Sequence, residues 1–200
     1  TCISAPPRPT RAVQWGLAAI AVSTFGMPLT DHFWFWFALR FVAGAASAFV
    51  LVGVSAWAMP ILAHLGKSAW SGRVFSGVGA GICFTGLISL VAAVTAWGSR
   101  ATWICLGVTA AIFTSALWSR LTSNPAQPSI MADVERAPLS RQAWIAALCY
   151  GVFGYGYIIP ATFLPALARE AIPNPSVFGW VWPVFGAAAA LSTALAARLL

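Results

Sequence analysis

A 200-residue chain that is 60% hydrophobic and only 8% charged, with a mean hydropathy of +0.83, cannot hide its apolar surface in a core of its own. Ordinary globular chains carry about a quarter charged residues. The composition therefore excludes a water-soluble domain and makes lipid the solvent, while the net charge of +7 has to be explained by where the few charges sit.

Consecutive charged positions bracket uncharged intervals of 19 residues (12–30), 26 (41–66), 26 (74–99), 19 (101–119), 27 (142–168) and 27 (171–197). At about 1.5 Å per helical residue each covers roughly 28–40 Å, against a hydrocarbon core of about 30 Å. The runs are continuous and lack the alternation of barrel strands, so the fold class is all-α: a polytopic membrane bundle of six transmembrane helices. The predicted spans are 13–29, 33–62, 72–97, 101–118, 143–168 and 175–197.

The first span follows Arg8 and Arg11 and superficially resembles a signal peptide. That reading leaves five further spans unexplained, and no convincing small-residue cleavage site follows. In the second span Arg40 lies seven residues past Phe33, about 10 Å into the helix, where a guanidinium costs about 2.5–3.5 kcal/mol on insertion scales. Gly44, Ser47, Ser55 and Ala58 follow it at helical spacing, interrupted by Leu51. This stripe is either a polar face on a wet path, or a close helix contact above which Arg40 snorkels to the near interface. The third span carries GVGAGICFTG, where Gly77 and Gly81 form a GxxxG face and Gly86 extends the small-residue pattern. Such faces let backbones approach and offer a seam on which helices can rock.

After the fourth span comes the one polar stretch of any length, 119–141, with prolines 125, 128 and 138 and mixed charge, which reads as a flexible connector. It divides the chain four spans to two: 1–118 as the end of one half-bundle, 119–141 as the central loop, 142–200 as the start of a second half-bundle. That asymmetry, the initial Thr and the stop at Leu200 suggest a fragment. The fifth span gathers all three tyrosines in CYGVFGYGYIIPATFLP, residues 149–165. Tyr150 and Tyr157, at i and i+7, share a helix face, while Gly151, Gly154, Gly156 and Pro160 would loosen the helix between its halves. The alternative is a packed interface whose phenols pair locally, with Pro160 as a simple kink.

With the amino end inside, inner segments hold Arg8, Arg11, Lys67, Arg73, Arg120, Arg136, Arg141 and Arg198, against Arg100 and Arg169 outside. This bias places both ends of the chain in the cytoplasm and accounts for the net charge as topology, leaving little for a nucleic-acid role. Trp15, Trp70, Trp118 and Trp144 fall near the inner edges and Trp34, Trp36, Trp97 and Trp103 near the outer ones, as interfacial belts would place them. Cys83, Cys105 and Cys149 lie in separate spans and Cys2 in the tail, with no metal or disulfide spacing. His32 and His64 are at opposite ends of one helix. No catalytic motif is present, and Asp31, Asp133, Glu135 and Glu170, all at or beyond helix ends, are the only acids. The reading is therefore not an enzyme: no catalytic residue, no metal, no cofactor.

ALRFVAGAASA, residues 38–48, is similar to the fourth-helix signature of the major facilitator superfamily, an Arg followed four residues later by Gly. Gly77-x-x-x-Gly81-Ile82-x-x-Thr85-Gly86 resembles that superfamily's fifth-helix motif, with Ile82 in place of its Pro and Thr85 in place of a glycine. RFVAGAASAF, GVGAGICFTGL and FGYGYIIPATFLPALAR together resemble the YbfB/YjiJ-type branch of bacterial major facilitators over nearly the whole chain. The resemblance implies part of a twelve-helix fold, helices three to eight, in which the fourth and seventh line a central cavity. Arg40, Ser47 and Ser55 would then face Tyr150, Tyr157 and Thr162 across the solute path. It also implies a multi-pass protein of the bacterial inner membrane, a secondary transporter of a small organic solute working by alternating access, with the proton as candidate coupling ion. The alternative class is a non-transporting membrane protein, a partner subunit or an inactive transporter fragment.

Overall fold

In a bilayer every backbone N–H and C=O has to find a partner within the protein, which is why uncharged runs of this length fold as helices. The computed structural model describes residues 9–122, 140–172 and 174–199, and among these the regular elements are all helical. Helix α1 (Pro9–Gly26) closes in a 3-10 turn, Met27–Leu29; α2 spans Phe33–His64; and a second 3-10 turn, Ser68–Trp70, leads into α3 (Ser71–Val94). Then come α4 (Ser99–Thr122), α5 (Arg141–Ala171), the short α6 (Pro175–Phe178) and α7 (Val181–Leu199).

Each predicted span coincides with one of these helices, except that the sixth is divided. Pro175 opens α6, Gly179 and Trp180 form a turn, and Pro183 sits in the first turn of α7, where its missing N–H leaves no intrahelical bond unmade. By length and apolarity five stretches of the described residues qualify as membrane spans: Thr10–Leu29, Phe33–His64, Ser71–Val94, Ser99–Leu121 and Ser176–Ala197. Helix α5, at 31 residues, contains the uncharged interval 142–168, and several of its side chains lie outside the described residues.

Two helix ends use the left-handed backbone that lets a chain reverse. At the end of α2, Gly66 takes φ 64° and Lys67 N–H donates to Leu62 O at 2.9 Å, closing a Schellman-type cap. At the end of α3 the same geometry falls on a residue with a side chain: Ala96 has φ 56°, and Trp97 N–H donates to Ala92 O at 2.8 Å. Glycine would adopt that conformation without steric cost.

Side chains are distributed as lipid immersion requires. Large apolar groups such as Phe33, Trp34, Phe41, Phe49 and Leu148 point outward, whereas the buried positions are mostly small: Ala21, Ala46, Gly53, Gly79, Gly86 and Ala92. Because lipid tails solvate Leu as well as another Leu does, helices in a membrane associate through close packing of small residues. Helix α1 lies between α2 and α4. A Cβ added at Gly16 would meet Val50 Cγ2 at 2.6 Å, and one at Gly107 would meet the Phe25 ring at 2.9 Å. Gln14, nearly buried, donates from Nε2 to Trp118 O at 3.2 Å, and the Trp15 and Trp118 rings meet edge to face at 6.2 Å.

The other main contact is antiparallel, between α3 and α7. Gly72, Gly79 and Gly86, spaced seven apart, place bare backbone against Thr193 and Ala197, then Gly186 and Ala190, then Pro183. A Cβ at Gly86 would lie 2.7 Å from Pro183 N, and one at Gly186 would lie 2.6 Å from Cys83 Cα. This seam joins helices from either side of the 119–141 connector, of which residues 123–139 lie outside the described set.

Candidate solute path

Arg40 is held by the second turn of α2, and its side chain is exposed. Its Cζ sits over the ring of Trp103 on α4, 5.0 Å from the centroid. Both helices start at the same end of the bundle. Arg40 is about 10 Å along from Phe33, whereas Trp103 is only about 6 Å along from Ser99. The guanidinium therefore leans back toward the nearer surface and rests on an indole face, whose quadrupole attracts a cation. At the same corner Arg100 Nη2 and Asp31 Oδ2 approach to 3.8 Å, with side chains 71% and 87% exposed. Ions that open to solvent contribute little, so Trp103 is the more consequential partner of this corner.

The polar stripe that follows Arg40 does not form the packed face of α2. That face carries Ala46 and Gly53, both buried, and at about 100° per residue it lies roughly 150° around the helix from Arg40, Gly44, Ser47, Leu51 and Ser55. A Cβ at Gly44 would meet nothing within 4 Å. Ser47 Oγ donates to Gly44 O at 2.9 Å and Ser55 Oγ to Leu51 O at 2.8 Å, so both hydroxyls are satisfied within their own helix. The Arg40 face is thus open at Gly44, cationic at one level and lined by back-bonded serines below it.

On α5 the sequence reading puts Tyr150 and Tyr157 on the working face. Tyr155, not Tyr150, joins Trp144, Ala147, Leu148, Gly151 and Val152 along a shallow groove of about 370 Å³. Tyr150 is 68% exposed and Thr162 is exposed as well, while the side chains of Tyr157 and Pro160 lie outside the described residues. The helix runs without a break from Arg141 to Ala171, and Cβ atoms at Gly151, Gly154 and Gly156 would meet nothing within 4 Å. A few helical glycines at up to about 1 kcal/mol each are tolerated where the backbone has no water to turn to. Among the described residues α5 packs only lightly, against the short α6 that follows it, and makes no extended packing with α2. No extended helix contact among these residues therefore joins the Arg40 helix to the tyrosine segment.

Among the packing glycines Gly86 faces Pro183, whereas Gly77 and Gly81 meet open space. The close-approach face of α3 is shifted around the helix to Gly72, Gly79 and Gly86, because α7 runs along a seven-residue repeat instead of crossing at a single GxxxG. Two contributors were not evident beforehand. Trp103 reads in sequence as one more interfacial tryptophan. The α7 partners Gly186 and Ala190 sit in a run of small residues, 186–190, that carries no polar marker.

Residues 3–200 match a family model described as "Uncharacterised MFS-type transporter YbfB". No curated protein and no solved structure gives a significant match.

Proposed function

Because this chain belongs to the YbfB-type MFS transporter family, a multi-pass membrane class that moves small solutes without chemical conversion, we propose that it serves a secondary transporter of a small organic solute bearing an anionic group. The carrying observation is Arg40. Its guanidinium stands about 10 Å into an apolar helix, on a face open at Gly44, at a cost of up to about 2.5–3.5 kcal/mol that leaning toward the surface reduces. Its contact with Trp103 supplies a resting partner of about 0.5–2 kcal/mol, weaker than the charge-assisted, bidentate bonds that a carboxylate or phosphate would offer. An arriving anion can therefore displace the indole.

Alternating access gains support from the α3–α7 seam, where Gly79, Gly86 and Gly186 bring backbone against backbone as a surface on which helices can rock. The basic residues favour a topology with Lys67, Arg73, Arg120 and Arg141 in the cytoplasm of a bacterial cell, and with it both chain ends. A proton is the coupling ion that we favour. The test is transport by the full-length protein in proteoliposomes. Arg40→Ala should lower uptake of an anionic solute at least tenfold, with insertion unchanged and Arg40→Lys partly active. Equal transport by wild type and Arg40→Ala would end the assignment.

A further inference from the structure

The end of the bundle opposite Arg40 carries a second cation–aromatic arrangement, and the charge-based topology puts this one at the membrane surface. In the connection between α2 and α3, Lys67 Nζ is 4.7 Å and Arg73 Cζ 4.3 Å from the ring centroid of Trp70. Local bonds set the three residues in place. Gly66 turns the chain, Lys67 N–H caps α2 on Leu62 O, and Trp70 N–H donates to Lys67 O at 2.9 Å across the 3-10 turn. Lys67, Trp70 and Arg73 are all exposed.

Two like charges share one ring, and the described acidic side chains are at the other end of the bundle, Asp31 before α2 and Glu170 at the close of α5. No carboxylate among the described residues is therefore at hand to neutralise the pair. Just before this cluster in the chain, Ile61 on the last turn of α2 and the helix's C-cap residue Leu65 are 37% and 61% exposed. A tryptophan at this level marks the headgroup region, cations beside it face phosphate, and the apolar side chains next to them face acyl chains.

We propose that Lys67, Trp70 and Arg73 form a binding site for the phosphodiester of an anionic phospholipid, the two cations clasping the phosphate while Ile61 and Leu65 contact its chains. A free inorganic phosphate would engage the cations alone; the apolar shelf beneath them is what favours a lipid. The site orders the α2–α3 turn and ties the Arg73 end of α3, the helix that carries the glycine seam, to the surface of the bilayer.

The experiment is native mass spectrometry of the full-length protein, titrated with dioleoylphosphatidylglycerol against dioleoylphosphatidylcholine. Each cation near an anionic surface contributes about fivefold in affinity. The double variant Lys67→Gln/Arg73→Gln should therefore lower the preference for the anionic lipid on the order of 25-fold. Arg11→Gln, which removes a charge from the same end, should leave most of the preference in place. An unchanged preference in the double variant, or an equal loss with Arg11→Gln, overturns the site. So does full displacement of the glycerol lipid by inorganic phosphate, which would make it a free-anion site. Should the double variant fail to accumulate, hydrogen–deuterium exchange of the wild-type segment 64–76 decides: slower exchange in phosphatidylglycerol than in phosphatidylcholine nanodiscs is expected, and equal exchange refutes the proposal.

Discussion

Replacing Gly79 with alanine puts a methyl group where the α3–α7 seam has no room. A Cβ there would lie 2.7 Å from Ala190 Cα and 2.8 Å from Gly186 O. Ordinary carbon contacts are about 3.5–4.0 Å, so α7 would have to withdraw by about 1 Å. Both obstacles are backbone atoms, which cannot rotate out of the way as a side-chain tip can. The overpacking cost is about 1–3 kcal/mol. Gly81, two residues on in the same helix, has nothing within 4 Å of its would-be Cβ. There the same substitution only improves helix propensity, by up to about 1 kcal/mol. The propensity gain is common to both sites, so the two variants should differ by the overpacking alone, about 1–3 kcal/mol, in reversible unfolding of the full-length protein in micelles. Equal stability for Gly79→Ala and Gly81→Ala would refute the seam, since it would mean that neither glycine, or both, faces a neighbour.

Ala96 holds a left-handed backbone that costs a non-glycine residue about 1–2 kcal/mol, so Ala96→Gly should raise thermal stability by up to about that amount; a lower melting temperature would show that the turn does not need φ above zero. Trp103→Leu keeps apolar bulk but removes the platform beneath Arg40, and should cost about 0.5–2 kcal/mol. In a double-mutant cycle Arg40→Ala/Trp103→Leu should lose less than the sum of the single variants, and strict additivity would dissolve the pair.

The places of the first five helices, to within a few residues at each end, could be read from the sequence because charges punctuate it. A side chain that lipid will not accept ends each span, and this constraint acts locally. The division of the last span was missed although Gly179 and Pro183 announce it, since an uncharged interval of 27 residues hides a break between two apolar pieces. Pairing between helices was less accessible. The GxxxG spacing draws attention to Gly77 and Gly81, yet which face of α3 is used depends on α7, more than a hundred residues further on. The depth of Arg40 followed from counting residues, but its partner did not, because Trp103 belongs to another helix and tryptophans near an edge usually have an interfacial role. The tyrosine face was inferred from spacing together with the family resemblance, and the Tyr157 side chain lies outside the described residues.

The α3–α7 contact also sets a schedule for biogenesis. Gly79 and Gly186 are 107 positions apart. At a synthesis rate of about 5–20 residues per second, α3 would wait roughly 5–20 s in the membrane before its mate emerges from the ribosome. Throughout that interval a strip of naked backbone lies open to any other small-faced helix nearby. Helices α1, α2 and α4 can associate without α7, but α3 touches α2 and α4 only lightly, so its main packing waits for α7.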